Sequence, residues 1–141
     1  MAGELIRVDG VSGWVNMATG LSLCAATWAQ VSASDFATLL AAGEEDYPEF
    51  EMRVDVTTGT PVENEVLQVA LRMSNGANQS PAPSGDFAPN YVGGVVLDNQ
   101  AGNYYKDGLS ILSKNATVYV KTATAITVSI YIKAKTFNAA V

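Results

Sequence analysis

Four glutamates at alternating positions come nearest to a catalytic arrangement in this chain. Glycosidases use two carboxyl groups in this way, and the candidates here are Glu49, Glu51, Glu63 and Glu65. Both pairs fall in segments that alternate with apolar residues, which places the acids on the outward face of a β-strand. A carboxyl group that acts as a general acid needs burial to raise its pKa. The spacing therefore favours a solvated strand face over a catalytic pair.

Other residue types that carry chemistry are scarce. The chain has no histidine, which excludes Ser-His-Asp and Cys-His sites and removes the commonest metal ligand. Cys24 is the single cysteine, so no internal disulfide or cysteine cluster can form, and its apolar neighbours predict a buried thiol. The acidic run 44–46 lacks the spacing of a calcium loop and predicts a solvated loop. We therefore expect no enzyme activity, no cofactor and no metal.

Composition and charge narrow the class of partner. The chain has 141 residues, 48% of them apolar, and a net charge of −6, which argues against nucleic acid as a partner. Residues 1–70 hold 11 acids and 2 bases, whereas residues 71–141 hold 3 acids and 6 bases, an asymmetry that could guide assembly between copies. The uncharged segment 10–34 contains many polar residues and no flanking basic anchors, so we predict buried strands rather than a membrane span.

Period-two alternation predicts most of the strands. In the segment 115–135, Ile126, Val128, Ile130 and Ile132 should face the core, and the outward positions are Thr127, Ser129, Tyr131 and Lys133. The run before it, 116–121, alternates too, and the short turn between them predicts an antiparallel hairpin. Segments 49–56 and 63–73 predict a second hairpin. Residues 91–98 predict a further strand with a bulge at Gly93-Gly94.

The segments between these strands complete the predicted fold. Ser34 to Ala42 has a capping residue, helical spacing and a stop at Gly43, which predicts a short helix. Residues 74–90 are mostly turn formers, and long loops of this kind are functional or mobile. Seven or eight strands predict an all-β jelly-roll or Greek-key β-sandwich with one short helix near residues 34–42. We divide the chain into an irregular N-terminal arm, 1–20, and a single β-sandwich domain, 21–141.

A partner interface is the site that the sequence favours. Tyr104 and Tyr105 are adjacent in a predicted loop, 99–107, so one of them should face outward, and exposed tyrosine is a common interface anchor. Further candidates are aromatic or apolar residues near the N-terminus and in the third strand: Leu5, Ile6, Trp14 and Tyr91. Trp14 and Trp28 lie in an apolar segment, so we expect both to be buried.

Several segments of the chain resemble small capsid proteins of tailed bacteriophages. The resemblance is carried by residues 28–36, 45–49, 87–99, 104–105 and 115–120, which include Phe87-Ala88-Pro89-Asn90-Tyr91-Val92-Gly93-Gly94. It implies a capsid decoration (cement) protein of jelly-roll fold, usually trimeric, made in the host cytoplasm and bound to the major capsid protein on the head surface. The alternative is a tail or fibre-tip module that binds a host-surface glycan. An exposed tryptophan on a sheet face would favour that alternative.

Overall fold

Two β-sheets form the part of the chain that this computed structural model describes, residues 5–10, 13–75 and 78–139. The strands are β1 (Leu5–Asp9), β2 (Val15–Leu23), β3 (Ala29–Gln30), β4 (Glu49–Thr58), β5 (Val66–Arg72), β6 (Tyr91–Val96), β7 (Gly102–Ser110), β8 (Thr117–Lys121) and β9 (Ile126–Ala139). One α-helical turn, α1 (Phe36–Leu39), and one 3-10 turn (Glu44–Asp46) lie between β3 and β4.

The strand order is that of a jelly roll. Sheet A has the order β2-β9-β4-β7, with β1 pairing the far end of the long strand β9, and sheet B has the order β3-β8-β5-β6. Strands pair from the outside of the sequence inward, β2 with β9, β3 with β8, β4 with β7 and β5 with β6. This nested antiparallel pairing across two sheets is the double Greek key of jelly rolls, which confirms the predicted fold class.

Both predicted hairpins are wrong. Strands β8 and β9 lie in different sheets, and so do β4 and β5. Each strand has one apolar face, and the opposite sheet buries this face whichever strand is the hydrogen-bonded neighbour. The alternation therefore defines the inward side chains of a strand but does not define its partner.

The core lies between the inward faces of the two sheets. Sheet A contributes Phe50, Met52, Val54 and Val56 from β4 and the four predicted residues of β9, Ile126, Val128, Ile130 and Ile132. Sheet B contributes Leu67, Val69, Leu71, Val95, Val118 and Val120. On one side the sheets close tightly, because a Cβ at Gly93 of β6 would lie 2.7 Å from Cδ2 of Leu109 in β7. The predicted register of β9 is confirmed, except that Ser129, predicted outward, is buried and accepts a hydrogen bond from Gly20 N.

Several predictions for the first 46 residues need correction. Within the predicted N-terminal arm, 5–9 and 15–20 are strand residues, the first of them where the sequence allows a short edge strand at Leu5 to Val8, and the predicted boundary at residue 20 falls inside β2. The helix is one turn long and ends at Leu39, because Leu40 already has an extended backbone. Gly43 (φ +92°) begins the 3-10 turn and does not end the helix. The acidic run is not a solvated loop: Glu44 is buried, and a Cβ at Gly10 would collide with its carboxylate.

Cys24 is also placed differently from the prediction, because its thiol is exposed. Leu23, the last residue of β2, points into the core, and the following residue of an extended chain points the other way. A turn at Ala25-Ala26 then begins, so no second layer covers the thiol. The apolar neighbours therefore did not indicate burial.

Residues 78–90, which precede β6, lie against the outer face of sheet B. Arg72 Nε donates to the Ser80 carbonyl at 2.9 Å, and the Gly85 carbonyl accepts from both Trp28 Nε1 and Lys121 Nζ at 2.9 Å. Ala70 and Tyr119, which pair across β5 and β8 on this outer face, are buried. The loop therefore acts as part of the fold, covering the middle of sheet B. Within the described residues, neither helical turn approaches the length or hydropathy needed to span a bilayer.

Candidate functional site: an aromatic and cationic surface on sheet A

The outer face of sheet A carries a row of large side chains on three neighbouring strands. The antiparallel register places Arg53 of β4 opposite Tyr105 of β7 on one side and opposite Tyr131 of β9 on the other. Residues directly opposite each other in adjacent strands have Cβ atoms about 5 Å apart, so the three side chains are in contact range. Tyr105 is 53% exposed and is the most accessible aromatic residue of the row.

Cation–π and aromatic contacts tie the row to the chain before β2. Arg53 Cζ lies 4.7 Å from the centroid of the Tyr131 ring, and Lys133 Nζ lies 4.5 Å from a ring centroid of Trp14. The Trp14 and Tyr105 rings are 5.9 Å apart and tilted by 53°. These five residues, Trp14, Arg53, Tyr105, Tyr131 and Lys133, are called the sheet A patch below. Their mutual contacts hold the rings in place before any ligand binds.

Ion pairs fix the cations of this face. Asp55 accepts two hydrogen bonds from Arg53, at 2.8 Å from Nε and 2.8 Å from Nη2. The hydrogen bonding to Asp55 raises the pKa of Arg53 above its ordinary value, so the guanidinium remains charged. A bidentate pair of this kind also fixes the orientation of the guanidinium plane. Arg53 is thus presented in one geometry between two tyrosine rings.

Lys135 is the centre of a second charge network beside the patch. Its Nζ lies 3.0 Å from Glu51, 3.2 Å from Asp107 and 3.6 Å from Asp9, and Asp9 also pairs with Lys133 at 3.4 Å. Burial acts to lower the pKa of Lys135, but the hydrogen bonds to Glu51 and Asp107 outweigh it and raise the pKa. Asp9 and Glu51, two of the acids in the first half of the chain, thus pair with these C-terminal lysines within one molecule.

The structure separates the predicted interface residues. It brings Trp14 and Tyr105 together, but Tyr104, on the other side of β7, packs against the core and donates its hydroxyl to the Gln100 carbonyl at 2.6 Å. Both tyrosines lie in a strand and not in a loop. Tyr91 is 48% exposed on sheet B. Leu5 and Ile6 belong to β1, and their side chains lie outside the described residues.

The two tryptophans differ from the prediction, and three members of the patch were missed. Trp14 and Trp28 are half-buried rather than fully buried. Arg53, Tyr131 and Lys133 were not among the predicted site residues. The signal for them was present in part, because alternation assigns each to the outward face of its strand. Only the strand register shows that they are neighbours of Tyr105.

Glu65 is the one candidate acid that the structure buries. Its carboxylate accepts hydrogen bonds from Thr124 Oγ1 (2.6 Å), Thr124 N (3.0 Å) and Val62 N (3.0 Å). Burial acts to raise its pKa, but these hydrogen bonds outweigh burial and lower it. A carboxyl with a lowered pKa is a poor general acid at neutral pH. The predicted solvated position of Glu65 is therefore wrong, and its contacts fasten the 62–65 turn to the 122–125 turn.

These hydrogen bonds of Glu65 to Val62 and Thr124 are called the Glu65 clasp below. An open groove of about 570 Å³ lies beside the clasp. It is lined from β5, β8 and their adjoining turns, with Val62, Val66, Gln68 and Lys121 among the lining side chains. Within the described ranges, no group of three or more cysteine and acidic side chains is arranged to hold a metal ion.

No protein-family model, no curated protein and no solved structure matches this chain.

Proposed function

We propose that the protein is a structural component of a bacteriophage particle that binds the lattice of the major capsid protein and reinforces the head. In this proposal it acts as a homo-oligomer, with a trimer as the expected state, and the sheet A patch is the surface that contacts the capsid. The proposal combines the resemblance, which touches most of residues 28–135, with the geometry of the patch. The jelly-roll fold agrees with it but is shared by many proteins of other functions.

The observation that carries the proposal is the combination of residue types around Tyr105. Energetic hot spots of protein interfaces are enriched in tryptophan, tyrosine and arginine, and the patch places Trp14, Arg53 and Tyr105 within one cluster. The side chains are already ordered by ion pairs and ring contacts, so binding immobilises little additional side-chain freedom. Such a rigid, half-exposed aromatic surface suits a flat protein partner better than a small ligand.

Several weak contacts suffice for such a function. When one oligomer engages several capsid subunits, each contact after the first is intramolecular and benefits from a high effective concentration. A modest affinity per patch would then give stable decoration of an assembled lattice and weak binding to isolated subunits. This predicts a strong preference for assembled heads over unassembled capsid protein.

The test is co-sedimentation with empty, expanded heads of the phage that encodes this chain. Tyr105→Ala is expected to weaken binding at least about tenfold, as truncation of a central aromatic anchor does. The matched control is Phe87→Ala, because Phe87 is equally exposed (53%) but lies outside the patch, in the loop on sheet B. The control should bind within about twofold of the unsubstituted protein, as residues outside a hot spot do. Equal binding by both variants would reject the patch, and failure of the unsubstituted protein to bind heads would reject the function.

A second candidate function is glycan binding by a tail or fibre-tip module. It is favoured by one observation, the position of Trp14 on a sheet face beside Tyr105 instead of in the core. Sugars stack on open aromatic faces, but Lys133 Nζ already lies 4.5 Å from the Trp14 ring, which leaves Tyr105 as the more open ring. Calorimetric titration with the surface polysaccharide of the host distinguishes the two functions. Binding to polysaccharide without binding to heads would establish the second.

A further inference from the structure

Sheet B carries an apolar strip at the edge that its own loop leaves open. Val66 of β5 pairs with Val96 of β6, and a Cβ at Gly94 would collide with Val66 Cγ1 and lie 3.3 Å from the Tyr91 hydroxyl. Val66 is therefore next to both Val96 and Tyr91, and Val62 lines the same groove as Val66. We call Val62, Val66, Tyr91 and Val96 the sheet B strip. Among the described residues, these are four of the seven large apolar side chains that are exposed.

The strip lacks two of the features that keep a sheet edge monomeric, charge and proline, although its pairing with β5 contains a bulge. Its strand β6, Tyr-Val-Gly-Gly-Val-Val, is the last strand of sheet B and contains no charged residue and no proline. Natural edge strands are commonly protected by lysine, proline or a covering loop, and an exposed apolar edge is an association site. The loop 74–90 covers Ala70 and Tyr119 but leaves Val96 58% exposed. The surface is thus suited to being covered by another protein.

The size of the strip fits the centre of a protein interface. Four side chains of these types, each about half exposed, present on the order of 350 Å² of surface, which is the size of the largest apolar patch on an ordinary monomer, and such patches are often functional. A stable interface takes about 800 Å² from each partner, of which the apolar part forms the centre and polar residues form the rim. The strip can supply such a centre, with Gln68, Glu63 and Lys121 of the adjoining groove as rim residues.

We infer that the sheet B strip is the surface through which copies of this chain associate. A second copy is the occupant that the chemistry favours, because an uncharged apolar strip is best covered by an equally uncharged surface and burial of an unpaired charge is costly. In the described part of the chain, the strip is itself the largest group of exposed apolar side chains that a second copy offers. The sheet A patch, whose cations and acids are paired, remains free for a different partner. The inference rests on the self-association in the proposed function and does not depend on what the patch binds.

The experiment is sedimentation velocity over a concentration series of the full chain and two lysine variants. Val96→Lys places a charge in the strip and should raise the dissociation constant of the oligomer at least tenfold. Leu112→Lys is the matched control, since Leu112 is similarly exposed (51%) and lies outside the strip, and its oligomer should be unchanged. Both substitutions are at exposed positions, and thermal unfolding checks that each variant is folded.

The outcomes separate this inference from the proposed function. A monomer at every concentration, or an oligomer that Val96→Lys leaves as stable as Leu112→Lys does, would overturn the inference. An oligomer disrupted by Val96→Lys supports it even if the protein binds no phage head. Tyr105→Ala should weaken head binding and leave the oligomer intact, so loss of self-association by this variant would show that the two surfaces had been assigned wrongly.

Discussion

Two outward-pointing tyrosines show that the outer faces of the two sheets differ in how much they are covered. On sheet A, Tyr105 is 53% exposed, whereas on sheet B, Tyr119 is 8% exposed. Sheet A fills its outer face with long charged side chains that pair with one another, and these leave the aromatic rings accessible. Sheet B places Ala70 between two tyrosines, Tyr91 and Tyr119, and uses a loop of its own chain to cover the middle of the face.

This difference separates the two kinds of surface that a binding protein needs. A face stabilised by its own ion pairs is already complete and can bind a partner without reordering. A face that depends on a loop has one part covered and one part left apolar at the edge. In the two proposals above, sheet A would contact the capsid through its aromatic and cationic patch, and sheet B would contact a second copy through its apolar strip.

The largest expected effect concerns the inner faces, where the sheets should not differ. Ile130 of sheet A and Leu71 of sheet B are both fully buried in the same core. Ile130→Ala and Leu71→Ala should each lower the free energy of unfolding by about 2–5 kcal/mol, because both leave a cavity in a shared core. Urea denaturation measures the effect. A much smaller loss of unfolding free energy for one of the two variants would mean that the inner face of that sheet packs loosely. The two sheets would then differ on their inner faces as well as on their outer faces.

A smaller effect is expected at the Glu65 clasp, and it depends on pH. The pKa of Glu65 is lower in the folded protein than its ordinary value of 4.5. Its contribution is therefore fully present above the unfolded pKa and is lost as the pH falls through the folded pKa. Glu65→Gln should reduce stability at pH 7 by about 1–3 kcal/mol, the range for hydrogen bonds to a charged group. The variant should also lose less stability than the unsubstituted protein between pH 5 and pH 3.

Glu51→Gln on sheet A is the control for this pH dependence. Glu51 contacts Lys135 on the half-buried outer face of sheet A, where one ion pair of a network should contribute less to stability than the three hydrogen bonds of Glu65. Thermal unfolding at several pH values should therefore show a flatter acid limb for Glu65→Gln than for Glu51→Gln. If the two variants have the same pH profile, the acid sensitivity of the fold does not come from the sheet B clasp.

The β9 strand shows what the sequence could and could not predict about the fold. Alternation over 126–132 identified every inward side chain, because the period of a strand is a local property. The predicted partner of β9 was wrong, because pairing with β2 and β4 depends on residues at least 69 positions away (Thr58 to Thr127) and on which sheet each strand enters. The burial of Ser129 could not be predicted for the same reason, because its hydrogen-bond partner, Gly20 N, lies in the bulged strand β2, far away in the sequence.

For the sheet A patch, too, the sequence predicts which face each residue is on but not which residues are neighbours. Tyr105 was identified from the sequence because one of two adjacent tyrosines must face outward in an extended chain. Arg53 and Tyr131 were assigned to outward faces, but nothing local indicated that they flank Tyr105. The loop 74–90 was recognised from its turn formers, yet its position over sheet B depends on single contacts to Trp28 and Lys121 that carry no sequence pattern.

The smallest expected effect tests the loop directly, with one tryptophan on each sheet. Trp28→Phe removes the indole N–H that donates to the Gly85 carbonyl and should cost about 0.5–1.5 kcal/mol, the usual net value of one hydrogen bond. Trp14→Phe keeps an aromatic ring near Lys133 and should cost less, because the contacts found for Trp14 are to its ring. Amide hydrogen exchange gives the sharper measurement. Exchange in 78–90 should accelerate in Trp28→Phe alone, since local opening of the loop becomes easier when one of its attachments is lost. Equal exchange in both variants would mean that Lys121 and Arg72 hold the loop without Trp28, and sheet B would then depend on its polar contacts as sheet A does.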